Sequence, residues 1–204
     1  APLGSARPLP RGRRPAPGGG EQPGAGRLQL VAAIHAVTLP AGVTIDPGGI
    51  GKGLAADHTA RLLADRGAAG VLVNVGGDLR AAGTGPDPEG WVVTVPDPLE
   101  PDRELLRLAL PCGAVATSSR LQRRWRTAAG PAHHLIDPRS GGPADTDVVA
   151  VTVVAGEAWW AEVLTKAVFL AGPAGLDDLG DAQAVVVTAD GARHATPGLG
   201  ATLR

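Results

Sequence analysis

Glycine and proline cut this chain into short apolar stretches, and the stretches are of strand length. Thirty glycines and 19 prolines stand among its 204 residues. Between the turns they make, Val71 to Val75, Trp91 to Val95, Ala114 to Ala116, Val148 to Ala155 and Ala184 to Thr188 read as strands. LQLVAAIHAVTLP, from Leu28, alternates in the manner of a strand or hairpin. Only two stretches carry a helical period. In the first, from Leu54, the residues Leu54, Ala55, Leu62 and Leu63 share one face and Gly67 falls where a left-handed stop is expected. In the second, Ala158 to Ala171, the stripe Trp160, Val163, Leu164, Ala167, Val168 and Ala171 is expected to face the core. Strands therefore outnumber helices, and an α+β fold with helices packed on a mainly antiparallel sheet fits better than alternating βαβ units.

The length suits one core, or one domain with an unstructured flank. Residues 1–26 contain six prolines and seven glycines, with Arg7, Arg11, Arg13 and Arg14 interspersed, so they are expected to form a disordered leader. The domain is then residues 27–204, with a Gly/Pro-punctuated tail after Gly191 that is expected to fray. Nineteen basic residues against 20 acidic ones exclude a broad electrostatic footprint for nucleic acid. Cys112 is the single cysteine, which rules out an intrachain disulfide and reads as a small buried hydrophobe. No apolar run approaches the roughly 20 residues that span a bilayer, and the first residues carry no signal-peptide core, so the sequence assigns no location. Lysine occurs only at Lys52 and Lys166, in a chain that otherwise uses arginine.

Four segments combine small residues with isolated polar groups, and together they read as one nucleotide site. DPGGIGKGLAAD, from Asp46, offers Gly48, Gly49, Gly51 and Gly53 for close approach to a ligand, a helix whose free N–H groups face the loop, and Lys52 as a matching charge. It is not a P-loop, because Asp46 stands at the first glycine position and Gly53 at the hydroxyl position; a plain Gly-rich turn ahead of a helix is the competing reading. VNVGGDL sets Gly76, Gly77 and Asp78 at the end of a strand, where a simple hairpin turn would look the same. AVATSS ends in Thr117, Ser118 and Ser119, whose hydroxyls suit phosphate or a cap. HHLIDPRSGG supplies His134 and Asp137 as the acid–base candidates, with His133 packing or meeting solvent instead. Zinc at His133, His134 and Asp137 is disfavoured because no other His or Cys lies at ligand spacing.

In that order, DPGGIGKGLAAD, VNVGGDL, VATSS, HLIDPRSGG and AWWAEVLTKAVFLAG resemble the FAD:protein FMN transferases, the ApbE-like flavin transferases. The resemblance runs from about Leu28 to Ala189 and covers the C-terminal portion of the family's domain, which implies a partial, N-terminally truncated ApbE-like (T-fold-like) fold. It implies an enzyme that cleaves FAD at its diphosphate, passes FMN to a threonine hydroxyl of a target protein and releases AMP, with magnesium assisting. It further implies that Asp46, Lys52 and Ala55 line the nucleotide, that Gly76, Gly77 and Asp78 shape its floor, and that Thr117, Ser118 and the His134–Leu135 segment contact it. His134 would take the threonine proton. A catalytically inactive FAD- or nucleotide-binding remnant of the same fold is the alternative. Relatives commonly act outside the cytoplasm.

Two departures from the family pattern stand out. The magnesium ligands implied by the resemblance are the carbonyl of Gly49 and an Asp and a Thr four residues apart on the late helix, where this chain has Glu162 and Lys166. Glutamate can ligate magnesium; a charged lysine has donors only. Either the pair is an ordinary helix contact worth about 0.2–0.5 kcal/mol, or the Lys166 ammonium sits where the ion would and weakens or replaces the metal requirement. After VATSS, Leu121 and Arg123 stand where the family has an aromatic and an arginine, which removes a stacking ring.

Overall fold

The structure, a computed structural model, describes residues 28–41, 43–128 and 130–200. The expected leader, residues 1–26, lies outside them. The elements in order are β1 (Gln29–Val31), β2 (Ala36–Thr38), α1 (Gly51–Asp65), β3 (Gly70–Val75), β4 (Asp78–Gly83), β5 (Trp91–Pro96), β6 (Glu104–Leu110) and β7 (Gly113–Ser119). They continue with β8 (Arg124–Thr127), β9 (Gly130–His133), β10 (Val148–Ala155), α2 (Ala158–Ala171), β11 (Gln183–Thr188), β12 (Arg193–Ala195) and the single turn α3 (Pro197–Gly200). Six strands form one sheet in the order β12-β11-β10-β7-β4-β3, and every pair in it is antiparallel. The fold is the expected α+β.

Strand alternation gives the sheet two buried faces. Ala114, Ala116, Val151, Val153, Ala184 and Val186 point to the side covered by α1 and α2, where Val168 and the fully buried Phe169 complete a core. Ala81, Val115, Val185 and Val187 point the other way and are covered by the β5–β6 hairpin through Val93, Val95, Leu105, Leu106 and Leu110. The result is helices, sheet and hairpin in three layers. Fully burying a side chain such as Phe169 or Leu106 contributes about 1.5–3 kcal/mol.

The structure corrects several expectations. On α1 the buried face is not the leucine stripe but Gly53, Ala56, Asp57 and Ala60; Leu54 is 51% exposed, and Leu62 and Leu63 also face solvent. On α2 the buried face runs through Ala158, Ala161, Glu162, Leu164, Thr165, Val168 and Phe169; Leu164 and Val168 face the core as expected, but Trp160 is 43% exposed and Ala167 and Ala171 are exposed too. Both errors have one cause: each helix turns small or polar residues inward. Strand β4 lies outside the expected strands because its sequence, DLRAAG, is short and holds one large apolar residue, Leu79. Strands β6, β8, β9 and β12 also lie outside the expected segments. The tail does not fray at once after Gly191, since β12 pairs with β11 and both Thr196 and Leu199 are buried. Cys112 is exposed rather than buried. Gly67 does take a positive φ of 93° just beyond α1. The β1–β2 hairpin forms, but its apolar residues are uncovered, Leu30 by 81%.

Candidate functional site

Close contact between α1 and α2 creates the site. A Cβ added to Gly53 would lie 2.3 Å from the carbonyl oxygen of Ala158, so only glycine lets the helices meet at this point. The close approach expected for a ligand here is therefore partly an approach to α2. Asp57, one turn on, is buried and accepts the backbone N–H groups of Ala158 at 3.0 Å and Trp159 at 2.9 Å. Helix α2 has no side-chain cap of its own, so α1 caps it across the interface. Arg80 of β4 holds the same carboxylate at 3.0 Å through Nε.

The capped geometry brings both lysines of the chain to one carboxylate. Glu162, fully buried on α2, accepts the Gly53 N–H at 2.8 Å through Oε2. Its Oε1 lies 3.3 Å from Lys166 Nζ and 3.5 Å from Lys52 Nζ. Lys52, in the first turn of α1, also pairs with the buried carboxylate of Asp78. Gly76 and Gly77 form the turn before Asp78 with φ of 59° and 97°, conformations that favour glycine, and Asn74 closes it by accepting the Gly77 N–H at 2.9 Å. A Cβ at Gly76 would sit 3.6 Å from Lys52 Cδ, so this turn lies against the lysine stem. Lys166 likewise passes Gly49, with Cε 4.0 Å from the place of a Cβ there.

Burial and charge act in opposite directions in this cluster. Burial raises the Asp78 pKa, against the hydrogen bond and charge of Lys52. Burial lowers the Lys166 pKa, while Glu162 and Asp78 pull it upward. The anion at the α1 N-terminus is Glu162 itself, so the helix N–H groups expected to face a ligand already include one committed to the protein.

The HHLIDPRSGG loop lies alongside. Leu135, buried in the helix-side core, and Ile136 share a small cavity of about 20 Å³ with Lys166, Phe169 and Leu170. His133 is the packing histidine: it accepts the Leu135 N–H at Nδ1 (3.3 Å), meets the Ala144 carbonyl at Nε2 (3.2 Å) and sets its ring edge to face with Phe169. His134 is half-buried, with Nδ1 3.4 Å from the Arg123 carbonyl. A carbonyl only accepts, so that contact places the proton on Nδ1 and leaves the Nε2 lone pair as the base. Burial lowers the His134 pKa, opposed by the Arg123 carbonyl and assisted by nearby cations that include Lys166.

Other expected residues separate. Asp137, expected as an acid–base group, takes three hydrogen bonds from Arg139, and those bonds and that charge hold its carboxyl below the usual range. Ser118 and Thr117 point to opposite faces of β7. Ser118 bonds Thr165 Oγ1 at 2.7 Å, and Thr165 donates to the Glu162 carbonyl at 2.7 Å, so Ser118 backs the cluster from within. Thr117 instead bonds Thr152 at 2.9 Å on the hairpin face, which removes it from a shared ligand contact. Asp46 accepts the Gly48 N–H at 2.8 Å and caps the 3-10 turn Pro47–Gly49. Ala55 is exposed one turn beyond Lys52.

The residues present do not fit the magnesium that the resemblance implies. Octahedral magnesium needs oxygen donors at about 2.0–2.1 Å. Among the described residues no group of three or more His, Cys, Asp or Glu is placed to hold a metal. Glu162 faces an N–H and two ammonium groups, and Lys166 adds donors only. A divalent ion 4 Å from an ammonium is repelled by about 8 kcal/mol at an effective dielectric near 20.

Asp57 and Thr165 were missed as site-forming residues. For Asp57 the signal was its place on the i, i+3, i+4, i+7 row of small residues Gly53, Ala56 and Ala60. A carboxylate on a row of small residues marks a close helix contact.

Comparison with known proteins places these residues in a wider group. The ApbE family is matched over residues 21–187. The FAD:protein FMN transferase of Salmonella typhimurium is 32% identical over 112 residues, 54% of this chain and 32% of that protein. The protein of the same name from Treponema pallidum is 32% identical over 152 residues, 70% of this chain and 42% of its own length. The crystal structure of an ApbE protein from Thermotoga maritima superposes with a TM-score of 0.80 at 28% identity, covering 90% of this chain and 61% of the other. The chain thus spans less than two thirds of each of these proteins.

Proposed function

The chain belongs to the ApbE family, and on that premise we propose that it is a flavin transferase that takes FAD, passes the FMN half to a threonine hydroxyl of a target protein and releases AMP. The observation that carries this reading is the meeting of Lys52 and Lys166, the chain's only lysines, at one buried carboxylate beside the His134 loop. Phosphoryl transfer asks mainly for positioning and for positive charge at the phosphate oxygens. Lys52 and Lys166 supply that charge on rigid helices, and Glu162 and Asp78 hold the two ammonium groups in place.

In the transfer, the threonine oxygen attacks the phosphorus of the FMN half. A phosphorus–oxygen bond to threonine forms as the diphosphate bond to AMP breaks. The hydroxyl proton passes to Nε2 of His134, the nitrogen left unprotonated by the Arg123 contact. Glu162 and Lys166 do not form a magnesium donor set, and the positive charge in this mechanism comes from the two lysines.

Incubation with FAD and a flavin-acceptor domain tests this. Transfer leaves the target fluorescent under ultraviolet light on a denaturing gel. FAD retained by the protein without labelling of the target supports the inactive remnant instead, and absence of flavin binding overturns both readings.

A further inference from the structure

The geometry points to Lys166 as the resident replacement for a divalent cation: its ammonium stands beside Glu162 and its stem beside Gly49, giving the substrate diphosphate a fixed positive partner. The inference rests on the flavin reading and adds that this chain binds FAD independently of divalent metal. Gly49, Glu162 and Lys166 are far apart in sequence or a helical turn apart, yet the fold brings all three together. The lysine side chain runs from beside Gly49 to beside Glu162. Its ammonium carries three donors and lies at ion-pair distance, 3.3 Å, from Glu162 Oε1. About a quarter of the side chain, 27%, remains open to solvent and hence to a ligand.

The local charges favour the same conclusion. Asp78 is matched by Lys52. Glu162 accepts the Gly53 N–H at Oε2, at the positive end of α1, while its buried Oε1 accepts no hydrogen bond and is matched in charge by Lys166. A cation that entered beside Glu162 would have to displace an ammonium already held there. An incoming diphosphate needs no such exchange, because it meets free N–H donors on Lys166.

Two measurements test the inference separately from the flavin reading. The first follows Mn2+ alone by electron paramagnetic resonance with wild type, with Lys166→Thr and with Glu162→Asp/Lys166→Thr. The expected result is that the variants bind Mn2+ at least ten-fold more tightly than wild type; equal or tighter binding by wild type overturns the inference. The second titrates FAD in Mg2+ and in EDTA. Equal affinity in the two media for wild type, with a fall of about ten-fold or more in both for Lys166→Gln, supports the inference. An affinity at least ten-fold higher in Mg2+ overturns it. Lys166→Gln keeps most of the side-chain length, and an unchanged thermal midpoint separates lost charge from lost fold. If FAD binds in neither medium the flavin reading fails, and the Mn2+ comparison alone then decides whether the ammonium holds the cation's place.

Discussion

On one face of the sheet, Ala81, Val115, Val185 and Val187 meet the β5–β6 hairpin through Val93, Leu105 and Leu106; on the other, Ala114, Ala116 and Val151 meet two helices that bury Asp57, Glu162 and Thr165 along with their apolar residues. The hairpin face gains its stability chiefly from apolar area, with the Asp97–Arg193 pair at 2.6 Å fastening its margin. Area is non-directional, so such a face tolerates small shifts. The helix face is directional. Asp57, Gly53 and Glu162 each fix a particular distance between α1 and α2, and those distances decide where the two ammonium groups lie. A scaffold and a site are thus built on opposite sides of one sheet.

Substitutions on the two faces should differ in kind as well as in size. The largest effect is expected for Asp57→Ala, which leaves Arg80 without its carboxylate and the α2 N-terminus without its cap. A loss of about 3–5 kcal/mol is expected from breaking a buried ion pair, measured by urea unfolding, together with weakened FAD binding. Leu106→Ala on the hairpin face should cost about 2–5 kcal/mol yet leave FAD affinity unchanged wherever the protein remains folded. A matching loss of affinity would erase the distinction between the faces. Thr117→Val should cost only about 0.5–1.5 kcal/mol through the lost Thr152 bond and leave flavin titrations unaltered, whereas altered titrations would return Thr117 to the site.

The smallest effect concerns pH. Burial lowers the His134 pKa from the ordinary 6.5, so the neutral base persists as pH falls through that value. The acid limb of kcat/KM for flavin transfer should therefore lie below pH 6.5 and should disappear in His134→Ala, provided residual activity remains measurable. A limb above 6.5 would contradict the burial of this imidazole.

Much of the scaffold was legible in the sequence because its signals are apolar. Val148 to Ala155 and Ala158 to Ala171 coincide with β10 and α2, since a continuous apolar run and a helical period need no knowledge of partners. The inward faces of the helices were not legible in the same way. On α1 the leucines face out and the small residues face in, because helix-to-helix distance, rather than hydrophobicity, selects Gly53, Ala56 and Ala60. On α2 the apolar stripe locates Leu164 and Val168 in the core but misses half of the inward face, because Glu162 and Thr165 are polar and buried. Segments far apart in sequence do bring Lys52, Asp78, Glu162 and Lys166 together. The partners of Asp137 and Thr117 were not legible, since they depend on a turn and on strand alternation that the sequence leaves open.

The central claim, that Lys52 and Lys166 around Glu162 receive a diphosphate, is tested most directly by titrating FAD, FMN and riboflavin against wild type and Lys52→Gln. In wild type the affinities should fall in that order, and the advantage of FAD over riboflavin should shrink by about ten-fold or more in the variant. Riboflavin binding as tightly as FAD, or an FAD advantage that survives in Lys52→Gln, would place the diphosphate elsewhere.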